Sequence, residues 1–190
     1  MKRLLSLAAS AAILAVPMSV SAQAAGGDPA FAAFQKVCWS SGGDYMATLK
    51  AAQDDGWTDT AVVGEEPGPV SVTDKAAKAK FANGANLTLL VSRGLQHTKS
   101  GDVKVATCKL TVSKADSALI GEGKAWVGVA PDAAPDPTLA VYYVKLTPGG
   151  APSHVGQADL AGALNGGGFA VLKFQQDADA GILVYTAYSK

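Results

Sequence analysis

The spacing of apolar residues changes along the chain, and this change restricts the fold more than any other sequence feature. Near the start, four apolar residues recur at helical spacing and share one helix face: Phe31, Phe34, Val37 and Cys38. The segments 86–95 and 102–112 are instead rich in β-branched residues and flank a turn-like stretch, as in a hairpin. Helices separated from hairpin-connected strands predict an α+β fold. We expect an N-terminal helical hairpin packed on a mostly antiparallel sheet of five or more strands.

The helix boundaries follow from capping residues. Asp28 is suited to accept hydrogen bonds from free backbone N–H groups, and Pro29 suits the first helical position. Asp44 is suited to cap a second helix in the same way. Gly56 stands where a left-handed residue ends a helix, and Trp57 follows where an apolar contact closes that end.

The remainder of the chain is expected to be mainly strands and loops. Residues 57–80 are polar and turn-rich, which predicts at most one or two short strands. Ser113 and Asp116 resemble a capping box, predicting a short helix that runs through Ile120 and stops at Gly121. Further strands are expected at 139–147 and in two runs after 169, with a helical turn or two near 158–164.

The first 24 residues have the pattern of a cleaved secretory signal peptide. Lys2 and Arg3 precede an apolar core from Leu4 to Val16, and small residues form a cleavage site at 22–24. Cleavage after Ala22 fits as well. We therefore expect residues 25–190 to form a single globular domain located in the periplasm or secreted.

The charge balance disfavours two classes of partner. Without Lys2 and Arg3, 14 basic residues face 16 acidic residues, a net charge of about −2. No basic run or stripe is present, which argues against nucleic acid and against an anionic membrane surface. No later apolar segment approaches the roughly 20 residues of a membrane span, so none is expected in the mature chain.

The two cysteines, Cys38 and Cys108, are predicted to form a disulfide. The exported chain meets an oxidising compartment, the cysteine count is even, and both residues fall on core-facing positions. Closing a separation of 70 residues contributes on the order of 4 kcal/mol in the chain-entropy model.

An alternative interpretation of Cys38 rests on two short resemblances. The segment QKVCWS, with Trp directly after Cys38, resembles the cysteine segment of papain-like peptidases, although that segment's first cysteine and its glycine are missing. The segment SHVG around His154 resembles the histidine segment of NlpC-type cell-wall peptidases. These resemblances imply an envelope cysteine hydrolase, peptidase- or amidase-like, that uses Cys38 and His154.

No complete catalytic or metal-binding constellation is evident. The two histidines, His97 and His154, lack the short-spaced partner that zinc sites usually have, so neither a metal nor a cofactor is expected. Three tyrosines on predicted strands, Tyr143, Tyr185 and Tyr188, are candidates for an aromatic ligand contact. The leading hypothesis is a non-catalytic binding protein of the cell envelope, whose partner is an envelope protein, a peptide or a glycan.

Overall fold

The computed structural model describes residues 27–63, 69–99, 101–115, 118–147, 149–166, 168–178 and 180–190, so the predicted signal peptide lies outside the described residues. Within these ranges the chain forms four α-helices, one π-helical turn and a seven-stranded antiparallel sheet, which confirms the predicted α+β class. The elements are α1 (Pro29–Phe34), the π turn (Gln35–Trp39), α2 (Tyr45–Asp54), β1 (Thr58–Thr60), β2 (Val70–Ala82), β3 (Ala85–Thr98), β4 (Gly101–Val112), α3 (Leu119–Val127), β5 (Leu139–Lys145), α4 (Gln157–Gly166), β6 (Phe169–Asp177) and β7 (Ala180–Ser189).

The sheet consists of two meanders that meet in its middle. The strand order is β1-β2-β3-β4-β7-β6-β5, and every neighbouring pair is antiparallel. After β4 the chain passes through α3 to the far edge of the sheet and returns strand by strand to β7. The pairing of β4 with β7 therefore joins the first half of the chain to the last.

One face of the sheet, here called the helix-covered face, carries the core. A single row of paired residues crosses five strands of this face, and all of its members are buried: Val91, Cys108, Tyr185, Leu172 and Tyr142. Phe31 and Phe34 of α1 pack edge-on against Phe174 of β6, with ring centroids 6.0 and 6.1 Å away. The helical stripe predicted from the sequence is thus the surface that covers the sheet.

The predicted capping residues of the N-terminal helices are confirmed. Asp28 and Asp44 each accept a hydrogen bond of 2.7 Å from a backbone N–H in the first turn of their helix. Gly56 has φ +78°, and the N–H of Trp57 donates to the carbonyl of Ala52, which closes α2 as a Schellman motif. The π turn that follows α1 was not predicted.

The prediction of at most short strands between Trp57 and Lys80 was wrong. β1 is short, but β2 has 13 residues and pairs with β3 from Val70 to Ala82, with one register shift between Val72 and Asp74. Lysine and alanine are poor strand formers in isolation, so the segment gives a weak strand signal. Lys78 is nevertheless buried, with its ammonium group 2.8 Å from Asp59 of β1. Tertiary pairing, and not local propensity, makes this segment a strand.

The prediction of a helix through Ile120 was also wrong in its bounds. α3 begins at Leu119 and ends at Val127, with Gly121 and Gly123 inside it. Gly121, the predicted stop, has open space beside it and does not end α3. A Cβ on Gly123 would lie 2.5 Å from the ring of Phe174, so this second glycine lets α3 pack closely on β6. The hydroxyl of Ser113 accepts a hydrogen bond from the backbone of Asn86, and Asp116 lies outside the described residues. No helix among the described residues is long and apolar enough to cross a bilayer.

Candidate functional site

The two cysteines form a disulfide between the helical layer and the sheet. Cys38 in the π turn is bonded to Cys108 on β4, with Cα atoms 5.5 Å apart, and both residues are buried. This distance lies in the usual range for such bridges. The pairing confirms the predicted disulfide, so the sulfur of Cys38 is not available as a thiolate while the bridge is intact.

His154 lies on another part of the sheet. Its backbone pairs with Val144 on the outer edge of β5, whereas Cys108 is on β4, and two strands separate β4 from β5. At a strand spacing of about 4.8 Å, β4 and β5 are about 14 Å apart. The structure therefore does not bring together Cys38 and His154, the pair on which the hydrolase interpretation depends.

The partner of His154 is Asp132, which the sequence interpretation missed. Nε2 of His154 lies 2.9 and 3.1 Å from the two carboxylate oxygens of Asp132, which also accept a hydrogen bond from the backbone N–H of Tyr143. A carboxylate beside an imidazole is an arrangement used in general-base catalysis. Among the described residues, however, the His154 ring is hydrogen-bonded to Asp132 alone. The pair joins the loops at 131–133 and 153–155 to the outer edge of β5.

The three candidate tyrosines are divided between the two faces of the sheet. Tyr185 is buried in the core, with its ring centroid 5.4 Å from that of Trp39. Tyr143 and Tyr188 are half-buried on the opposite face, where Tyr188 stacks on Phe169 at 4.7 Å. Burial, and then the neighbouring Tyr143, raise the pKa of Tyr188 above its ordinary value. Tyr143 and Tyr188 thus belong to a small aromatic surface on the face opposite the core, and Tyr185 is not part of it.

A cleft of about 370 Å³ opens on the helix-covered face, beside the start of α2. Three apolar residues of β3, β4 and β7 line its floor: Leu95, Ala106 and Ala187. Polar groups surround the floor: Tyr45, Arg93, Lys104 and Ser189. We call this site the arginine cleft.

Small side chains create the arginine cleft. The row of paired residues next to the buried one contains Arg93, Ala106 and Ala187, so the space that Tyr185 fills in the buried row stays open. Gly43, in the loop before α2, forms one wall and has φ +81°. A Cβ at Gly43 would lie 2.5 Å from the methyl group of Ala187, so only glycine allows this close approach of the loop to the sheet.

The guanidinium of Arg93 is held in place from two sides. Its Nε donates to Asp74 over 2.6 Å, and its central carbon lies 5.1 Å from the ring centroid of Tyr45. The β2–β3 register shifts between Val72 and Asp74, at a β-bulge of the kind that redirects side chains beside binding sites. Burial, and then the nearby Asp74, raise the pKa of Tyr45, so its hydroxyl stays protonated at neutral pH.

Lys104 contributes a second cation to the cleft. Its ammonium group donates to the main-chain oxygen of Lys190 over 3.4 Å, and it forms no ion pair with an Asp or Glu side chain of the described residues. The sequence interpretation missed both cations. The available signal was a charged residue within an otherwise apolar alternation, Arg93 after Leu89 and Val91, and Lys104 before Ala106 and Cys108.

A second cleft, of about 510 Å³, lies beside Trp39 and Trp126. The two indole rings meet edge-on at 5.0 Å, and Nε1 of Trp39 donates to the carbonyl of Gly150 over 2.6 Å. Lys36, the charged residue of this cleft, is paired with Asp55 at 2.5 Å. Trp39 and Lys36 in this second cleft thus already have polar partners within the protein. The arginine cleft is therefore the stronger candidate site.

The described residues offer no metal site, and the comparisons with known proteins identify no relative. Within the described ranges, no three His, Cys, Asp or Glu residues are grouped so that they could hold a metal ion. Comparisons of the chain with protein-family models, with curated proteins and with solved structures found no match.

Proposed function

We propose that this chain is an exported binding protein of the cell envelope that holds a ligand in the arginine cleft without transforming it. One observation carries the proposal: an apolar floor lies beneath converging polar groups, and Asp74 and Tyr45 fix the orientation of one of them, Arg93. Small-molecule sites combine these features in a volume of about 300–1,000 Å³. Preorganised polar groups are also what a selective site needs.

Two observations support export to the periplasm or beyond. Residues 1–24 have the charge, apolar core and small residues of a signal peptide. The Cys38–Cys108 bridge is compatible with an oxidising compartment. In such a compartment the accessible partners include peptides, glycans and envelope proteins that present an exposed chain segment.

The cleft is tested by nuclear magnetic resonance of isotope-labelled protein with a panel of short peptides and oligosaccharides. A bound probe is expected to shift the backbone amide signals of Leu95 and Ala106. Ala106→Leu fills the floor and should abolish these shifts. Thr107→Val, on the same strand but the other face, is the matched control and should leave them unchanged.

Two outcomes contradict the proposal. If no probe shifts the cleft amides, the arginine cleft is not a binding site. If probes shift the signals around Tyr143 and Tyr188 instead, the aromatic surface of the opposite face is the contact site.

Export is tested by expressing the full chain in a bacterial host and measuring the mass of the product in each cell fraction. A periplasmic or secreted product beginning at residue 25, or at residue 23, is expected. An uncleaved product confined to the cytosol contradicts the export proposal.

A further inference from the structure

The acidic groups near the arginine cleft are already engaged within the protein. Asp74 accepts the hydrogen bond from Nε of Arg93, and Asp44 accepts the N–H of Ala47 at the start of α2. The groups in the cleft that remain available to a ligand are hydrogen-bond donors. The hydrogen bonds of Arg93 to the described residues use Nε, which leaves its terminal N–H groups, and Lys104 offers an ammonium group. Neither side chain has an acceptor atom.

The two cations are close neighbours on the sheet. Arg93 pairs with Ala106 and Leu95 pairs with Lys104, so Arg93 and Lys104 are diagonal neighbours on the same face of the β3–β4 ladder. Diagonal neighbours lie about 7–8 Å apart and are within reach of long side chains. Arg93 forms an ion pair with Asp74, so Lys104 supplies the remaining positive charge, and an anion placed between the two side chains can accept hydrogen bonds from both.

The floor of the arginine cleft limits what the anion can be attached to. Leu95, Ala106 and Ala187 form an apolar surface next to the two cations. A volume of about 370 Å³ accommodates a short apolar group in addition to the anion.

We infer that the ligand of the arginine cleft carries a carboxylate on a short apolar group, and that Lys104 and the terminal N–H groups of Arg93 hold the carboxylate. This inference rests on the proposed binding function and names its ligand class. A carboxylate of this kind occurs in free small acids and at the C-terminus of a peptide that ends in an apolar residue.

The inference is tested with two pairs of probes that differ only at the carboxylate. The first pair is 4-methylpentanoate and its amide, and the second is acetyl-Gly-Ala-Leu with a free or an amidated C-terminus. The shifts of the Leu95 and Ala106 amides are followed during titration. Each acid should bind at least tenfold more tightly than its amide, because a charge-assisted hydrogen bond is worth about a ten- to hundredfold change in affinity. Tighter binding of the peptide acid identifies a chain terminus as the source.

Three variants assign the carboxylate to its partners. Lys104→Gln and Arg93→Gln should each weaken binding of the acids about ten- to hundredfold and leave binding of the amides unchanged. Lys99→Gln removes the same charge from the β3–β4 turn outside the cleft, so it should leave both affinities unchanged. Unchanged amide signals of the remaining chain show that each variant is folded.

The outcomes separate this inference from the proposed function. Equal binding of acid and amide in the cleft overturns the carboxylate assignment and leaves the binding function intact. The same holds if neutral members of the wider panel shift the cleft amides and neither acid does. If no probe of either kind shifts them, the binding function fails together with the inference.

Discussion

Removal of the Cys38–Cys108 bridge is the perturbation whose effect on stability follows most directly from the structure. The bridge closes a separation of 70 residues and joins the π turn to the central strand β4. In the chain-entropy model such a cross-link contributes about 4 kcal/mol by restricting the unfolded chain. For a protein of this size, 1 kcal/mol shifts the melting temperature by about 2–4 °C. The double variant Cys38→Ala/Cys108→Ala should therefore melt roughly 8–16 °C below the native protein.

The assay is urea unfolding with and without a reductant. In the native protein, reductant should lower the free energy of unfolding by about 4 kcal/mol. It should also steepen the dependence on urea, because the unlinked unfolded chain exposes more surface. The double variant is the control, since reductant should not change its unfolding. Cys38→Ser and Cys108→Ser should lower stability by similar amounts.

Two results would refute this reasoning. A change of less than about 1 kcal/mol on reduction would show that the bridge does not restrict the unfolded chain as the loop length requires. Alkylation of Cys38 in non-reduced periplasmic material would show a free thiol and revive the hydrolase interpretation. That interpretation further requires His154→Ala to suppress the labelling.

Three other predictions concern single side chains. The hydroxyl of Tyr142 is buried without a hydrogen-bond partner among the described residues, so Tyr142→Phe should raise the free energy of unfolding by about 1 kcal/mol; a loss in urea unfolding would show a partner such as bound water. Burial opposes ionisation of Asp55, but hydrogen bonds from Lys36, Lys80 and Trp57 lower its pKa from 3.8 to about 2. Because the folded-state pKa is below the unfolded value, this stabilisation is present at neutral pH and is lost as the pH falls from about 4 towards 2. After allowance for solvent screening, Asp55→Asn should cost about 1–2 kcal/mol at neutral pH and almost nothing near pH 2, and an equal loss at both pH values would contradict the assignment. Gly43→Ala and Gly56→Ala introduce the same strain at positive φ, but only Gly43 faces a close atom, so its substitution should cost about 1–3 kcal/mol more in thermal unfolding; equal costs would show that the loop can move away from the sheet.

Where the signal lay within a few neighbouring residues, the sequence was sufficient. Asp28, Asp44 and Gly56 are caps whose geometry involves one helical turn, and each was recognised from its position. The disulfide was recognised because Cys38 and Cys108 each fall on an apolar face of their own element. In a chain predicted to be exported, two core-facing cysteines are expected to pair with each other.

Local signals failed where a long-range contact overrides them. The Lys- and Ala-rich segment of β2 is a strand because β3 pairs with all of it, and Lys78 tolerates burial because Asp59 lies opposite. The helix stop predicted at Gly121 is overridden because α3 packs on β6, where Gly123 allows the close contact with Phe174. Neither effect is visible in a window of a dozen residues.

The sequence by itself determined the class of the fold, the starts of its first two helices, the end of the second and the bridge between its layers, because each depends on periodicity or capping within one element. Only the tertiary structure decided the arginine cleft. Arg93 and Lys104 belong to one hairpin, but the floor needs Ala187 from the last strand and the wall needs Gly43 from the first helical loop. These parts meet because β7 pairs with β4 and the disulfide holds the helices on the sheet. Such pairings over long sequence separations are set by the packing of the whole chain, which no local pattern encodes.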